Sequence, residues 1–174
     1  MTPLPAGARA SSRGARNAPG EPGAQAVVGW REWLLLPDLC DVPIKAKVDT
    51  GARTSAVHAF GLRIENVEGI QVASFELHPR QRSKSGAVRV QCPIRGFRRV
   101  RSSNGRTETR PVIMTSLQLG EHRWNGQLTL TSRDAMGFRI LLGRSALKGR
   151  FLVDPSRSFA QSRSIERAMR GQKR

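Results

Sequence analysis

The segment most suited to chemistry is Val48-Asp49-Thr50-Gly51-Ala52. An apolar run closes on a carboxylate, and three small residues follow. Glycine lets the backbone fold tightly around the acid. The threonine hydroxyl can hydrogen-bond backbone or a symmetry-related copy, and alanine leaves room for close approach. Such a carboxylate is held rigidly in a shallow pit, ready to exchange a proton with water or with an oxyanion. The same residues also suit an Asp that merely caps a turn after a strand. About 90 residues downstream stands a second segment, Ile140-Leu141-Leu142-Gly143-Arg144-Ser145-Ala146-Leu147, in which an apolar run ends at Gly-Arg.

Both segments need a frame, and the rest of the chain supplies short apolar stretches at the spacing of an all-β domain. Val27 to Leu36 reads as a first strand, closed by Pro37-Asp38. Ile44, Ala46 and Val48 alternate with polar or small neighbours, the mark of a half-buried strand. Leu62 with Ile64, then Ile70 to Leu77, then Val88 to Cys92 give further strands. Asn104-Gly105 is a strong hairpin signal because both residues accept positive φ. Val112 to Leu119 and Trp124 to Leu130 flank a second turn, with Trp124, Gly126, Leu128 and Leu130 on one face. The run from Phe138 ends at Gly143, only Arg144 to Lys148 reads as clearly helical, and Phe151 to Val153 closes the domain. Residues 1–25 and 156–174 read as tails, the first disordered and the second basic, with weak helical potential in Ser164 to Arg170. The domain is therefore expected at 26–155.

The order and spacing of the Asp-Thr-Gly-Ala and Leu-Leu-Gly-Arg segments resemble the retropepsins, the single-lobe aspartic proteases. More closely, Gly29 to Trp33, Lys45 to His58 and Met136 to Pro155 resemble the bacterial retropepsin-like family that carries the label ATP-dependent zinc protease. The resemblance runs over roughly residues 28–157. It implies an all-β, single-lobe acid-protease closed barrel with one short C-terminal helix. It further implies a homodimer in which each chain gives one catalytic aspartate. Two carboxylates about 3 Å apart cannot both ionise, so they share a proton and their pKa values split. By this likeness Asp49 is the acid/base residue, Thr50 braces the two loops across the dimer axis, and Gly51 lines the cleft. Ala52, Arg53 and Arg144 fall where substrate binds. The Asn104-Gly105 hairpin stands where a flap is expected, though an ordinary hairpin tip fits it equally. Many retropepsins carry an acid directly after Asp-Thr-Gly-Ala, and here that position is Arg53. Arg53 and Arg144 would then lie close with like charge and call for another anion. That favours an acidic substrate, in keeping with the family's association with removal of glutamate tails from a ribosomal protein.

The zinc and ATP of the label find little in the residues. His58, His78 and His122 are scattered, without an HExxH pair, and there is no GxxxxGK[ST] loop. No cofactor is expected. The chain carries 30 Lys and Arg against 13 Asp and Glu, a net charge of +17. Ten basic residues and one acid lie between Arg80 and Arg110. Such charge attracts polyanions. Phe97 is the only aromatic residue in that stretch and the chain has no Tyr, so base stacking is disfavoured and nucleic acid is expected only as a weak, salt-sensitive partner. No apolar run reaches the roughly 18 residues of a membrane span, nor the 7–15 of a signal peptide. A soluble cytoplasmic protein with reduced Cys40 and Cys92 is expected. The leading expectation is an aspartic peptidase acting as a homodimer on acidic peptide or protein. Two others stand beside it: a basic β-barrel that binds RNA, and a retropepsin fold used only for binding.

Overall fold

The structure is a computed structural model, described here for residues 25–81, 83–101, 105–132 and 137–171. Twelve strands and two helices follow in the order β1 (Ala26–Gly29), β2 (Arg31–Leu36), β3 (Cys40–Val48), β4 (Ser55–His58), β5 (Phe60–Val67), β6 (Ile70–Leu77), β7 (Val88–Pro93), β8 (Gly96–Arg101), β9 (Thr107–Leu119), β10 (His122–Thr131), β11 (Ile140–Leu142), α1 (Arg144–Leu147), β12 (Phe151–Asp154) and α2 (Arg163–Gly171). The main sheet runs β10-β4-β11-β3-β2-β9-β8, and a further β9–β10 pairing closes six of these strands into a ring. Closure removes the open edges that an isolated sheet would present. The fold is the all-β retropepsin-like architecture.

Period-two burial fills the ring. Ile44, Ala46 and Val48 of β3 point inward and are buried, while Lys45 is half-buried and Lys47 exposed. Leu34, Ile113, Leu117, Leu128, Ile140 and Leu142 meet them there. A separate sheet, β5-β6-β7, packs onto the ring through Ala73, Phe75, Leu77 and Val90. Cys40 and Cys92 are free thiols, the first buried and the second half-buried.

Several elements differ from the expected ones. The first strand is two strands, broken at Trp30. β1 pairs in parallel with β12, whereas β2 pairs with β3. Gly29 allows the break, since a Cβ there would stand 2.4 Å from the Arg157 carbonyl oxygen. Strands β4 and β8 were not expected. Ser-Ala-Val-His in β4 is buried at every position and so shows no alternation. The arginines of β8 (Gly-Phe-Arg-Arg-Val-Arg) hide a strand that pairs with β9 on one side only. The Asn104-Gly105 turn lies partly outside the described residues, although β8 and β9 do form the antiparallel pair that leads into it.

The largest difference is at the C-terminus. The expected short helix is present as α1, a second helix, α2, is added to it, and the stretch before α2 is packed rather than a tail. Phe159 and Ser162 are buried. Glu32, fully buried on β2, gathers this segment. Its Oε1 accepts from the amides of Gly29 (2.8 Å), Ala160 (2.8 Å) and Gln161 (3.3 Å), and its Oε2 from the Ser162 hydroxyl (2.5 Å). Trp33 then donates its indole N–H to Glu166 of α2. A buried acid without donors would be costly, and these four contacts answer that cost.

Candidate active site

Asp49 follows directly on β3, where the strand leaves the sheet. Its amide donates to the Leu142 carbonyl at 2.9 Å, so the end of β11 fixes the start of the loop. The chain then turns back on the side chain. The Gly51 and Ala52 amides donate to Asp49 Oδ1 at 3.0 and 3.2 Å. Both bonds fall on one oxygen; among the described residues Oδ2 takes none. The carboxylate is partly exposed, and Gly51 leaves no spare room beside it. A Cβ on that residue would come within 3.2 Å of Oδ1. The loop thus presents a partly exposed carboxylate with one oxygen held by backbone amides and the other without a hydrogen bond among the described residues.

The second motif is sewn to the first. Parallel pairing of β11 with β3 brings Leu142 beside Val48. Arg144 N donates to the Ala52 carbonyl (2.9 Å) and Ser145 N to that of Arg53 (3.1 Å). The Arg144 guanidinium returns through Nη1 to the carbonyls of Thr50 (2.7 Å) and Gly51 (2.9 Å). Gly143 makes this crossing sterically feasible. A Cβ there would lie 2.6 Å from the Thr54 carbonyl carbon and oxygen. Its own amide donates to Ser55 Oγ at 3.1 Å, buried. Ser55 was not foreseen, and only the Gly143 amide it caps gives it a role.

All six sequence-derived site residues therefore fall in one place: Asp49, Thr50, Gly51, Ala52 and Arg53 on the loop, with Arg144 against it. Arg144 is exposed, and its Nη1 is bonded to two loop carbonyls, so part of its guanidinium serves the loop itself. It shapes the loop. Arg53 is exposed and holds the loop through its carbonyl alone, so its side chain remains turned to solvent.

The histidines do not fit a zinc site. Phe60 stands between His58 and His78, its ring parallel to both, with centroids 3.9 and 3.8 Å away. The two imidazoles are therefore held apart by a phenyl ring. His122 lies elsewhere, edge-on to Phe151. Among the described residues no group of three or more His, Cys, Asp or Glu is arranged to hold a metal ion. Nor is any described helix long and apolar enough to cross a membrane.

The family profile described as RimB-like, "Retropepsin-like aspartic endopeptidase RimB", matches residues 27–164. The chain belongs to this family. Curated relatives of this RimB-like chain include proteins named "Probable alpha-L-glutamate ligase". One from Shewanella halifaxensis is 48% identical over 133 residues, which is 76% of this chain and 29% of the relative. Another from Parasynechococcus marenigrum is 49% identical over 132 residues, 76% of this chain and 28% of the relative. The chain thus spans under a third of the length of the curated relatives it matches. Among solved structures, a Legionella pneumophila protein of unknown function superposes with a TM-score of 0.63 at 27% identity, over 77% of this chain and 96% of that one. The RimB-like match runs past Pro155 to residue 164, and so includes the segment that Glu32 gathers.

Proposed function

We propose that this RimB-like chain is an aspartic peptidase that works as a homodimer and cuts acidic peptides. The observation that carries the proposal is the Asp49 loop itself, with Oδ1 held by two amides and Oδ2 without a hydrogen bond among the described residues. A single carboxylate lacks its acid/base partner, and a second copy would supply one. In that dimer the two Asp49 groups share a proton. The ionised member takes a proton from water, which attacks the peptide carbonyl, and the protonated member hydrogen-bonds the developing oxyanion. Thr50, exposed at the loop's crest, would brace the two loops across the axis.

The relatives' name supports the acidic substrate. They are named for joining glutamate, and a glutamate-joining protein beside a peptidase-like domain suits opposed reactions on one acidic chain. The ligase activity is read as belonging to the part of those relatives that this chain does not cover. Arg53 follows the loop directly and is exposed, which supports a role in meeting a glutamate side chain of the substrate.

A flap completes the reading, and the β5–β6 hairpin takes the role in preference to the Asn104-Gly105 turn. It follows β4 immediately after the catalytic loop. Its turn is tight, with Glu68 and Gly69 at φ of 51° and 83°. Beside that turn Val67 and Ile70 are 50% and 55% exposed, an apolar tip suited to closing over substrate.

The test is Asp49→Asn. General acid–base catalysis is worth about 10²–10⁴-fold, so hydrolysis of an oligo-glutamate peptide should fall by at least about a hundredfold. Sedimentation should still show a dimer. Full activity in the variant, or an active protein that stays monomeric, overturns the mechanism.

A further inference from the structure

Beyond the Asp49 loop, a strongly charged concavity lies between β2 and α2. It encloses about 260 Å³ and is lined by Arg31, Phe159, Arg163, Arg167 and Arg170, with Glu166 among them. Helical spacing puts Arg163, Arg167 and Arg170 on one face, the first two about 6 Å apart. Glu166 offsets Arg170, to which it is bonded at 2.7 Å. Arg163 and Arg167 are exposed. Arg31 is held in place, with Nε on Ser158 Oγ at 3.1 Å and its guanidinium over the Trp30 and Phe159 rings, at 4.5 and 5.1 Å.

This face adjoins the catalytic strand. Arg31 pairs with Lys47, and the Trp30 carbonyl accepts from the Val48 amide at 2.9 Å. Asp49 is the next residue. From strand spacings, Arg31 sits within roughly 10 Å of Asp49, about three residues of an extended peptide.

We propose that the face of β2, β3 and α2 is an exosite for the acidic part of a peptide, with Arg31, Arg163 and Arg167 as its anchoring cations. The proposal rests on the peptidase reading for where the bound peptide is cut, and on geometry alone for where it binds. Alternate side chains of an extended peptide recur at about 6.6–6.8 Å, close to the spacing of Arg163 and Arg167. Guanidinium groups take carboxylates bidentately. RNA is the less favoured occupant because the aromatic rings here are already covered. Phe159 is buried, Arg31 lies over it and over Trp30, and Lys45 lies over Trp33 at 4.9 Å. Among the described residues the rings at this site are already engaged by Arg31 and Lys45, which disfavours stacking by a base.

The experiment measures binding of a fluorescein-labelled ten-residue oligo-glutamate to the full chain carrying Asp49→Asn, so that nothing is cut. Arg163→Glu with Arg167→Glu should weaken binding at least tenfold, as expected for lost charged hydrogen bonds. A control of equal charge change, Arg95→Glu with Arg99→Glu, should alter it less than threefold. In the chain with Asp49 intact, the α2 double variant should raise KM with kcat within twofold. Equal weakening by both double variants would mean general charge attraction and overturn the exosite. So would a ten-nucleotide single-stranded RNA that binds more tightly than the peptide and loses that affinity with the α2 variant. A chain that binds oligo-glutamate through these arginines yet never cuts it upholds the exosite and removes the peptidase reading.

Discussion

Around Asp49 most of the ties run between backbone groups of two neighbouring segments, and around Glu32 a buried carboxylate gathers backbone from distant parts of the chain. The Asp49 loop is tied by amides and carbonyls of residues 49–53 and 142–145, by Asp49 Oδ1 and by the Arg144 guanidinium, and its glycines matter for what they lack. In the C-terminal layer one buried carboxylate accepts from four donors, beside backbone bonds such as that of the Phe159 amide to the Arg31 carbonyl at 2.8 Å. The first arrangement leaves the Thr50 and Arg53 side chains exposed. The second keeps its carboxyl group inside, while Arg163 and Arg167 of α2 are exposed on the surface. A rigid site and a charged approach to it thus arise from different physics.

Changes that break one arrangement should leave the other standing. The largest effect is expected from Gly143→Ala. Its Cβ would meet backbone that cannot swing aside, at 2.6 Å. The cost should reach about 3 kcal/mol or more, seen as a lower midpoint in chemical denaturation. A stable variant would show that the crossing has more slack than the contacts imply. Next comes Glu32→Ala, which strips several buried donors of their acceptor and should cost about 2–3 kcal/mol. Limited proteolysis should then cut within 156–171 while the ring stays protected. Uniform protection would place the anchoring of α2 elsewhere.

Gly51→Ala should barely change stability, by under about 1 kcal/mol. The added methyl presses on Asp49 Oδ1 from 3.2 Å, so peptidase activity should fall about tenfold or more through misplacement of the carboxylate. Unchanged kcat would mean that the carboxylate tolerates the shift.

The smallest effect concerns pH. Burial works against the charged form of Glu166. Its bonds with Arg170 and Trp33, and the nearby Lys45, outweigh this and hold its carboxyl below the usual 4.5. A pKa lowered in the folded state contributes stability above 4.5 that is lost as pH falls through the folded value. Loosening of α2, worth about 1 kcal/mol or less, should therefore appear below pH 4.5 as a change in Trp33 fluorescence. Glu166→Gln should flatten that titration. A change that persists in the variant would assign the transition to other carboxylates, among them Asp38, which the Ser116 amide and hydroxyl hold low.

Sequence alone determined the elements that repeat or that carry a local rule. The alternation of Ile44, Ala46 and Val48 marks a half-buried strand, and Ile70–Leu77 stands as a strand at the bounds read from the chain. Asp49-Thr50-Gly51-Ala52 and Leu142-Gly143-Arg144 are legible because small residues at fixed positions are what a tight backbone crossing demands. Tertiary structure decided the rest. Ser55–His58 is buried on both faces and leaves no period to read. Arg144 looks like a free cation in sequence, yet its partners are carbonyls about 90 residues earlier. Residues 156–171 have the composition of a solvated tail, and they pack because Glu32, more than 120 residues away, supplies the acceptors for Ala160, Gln161 and Ser162. Composition records what a segment would do in water. Whether a distant buried charge gathers it is settled only when the chain has folded.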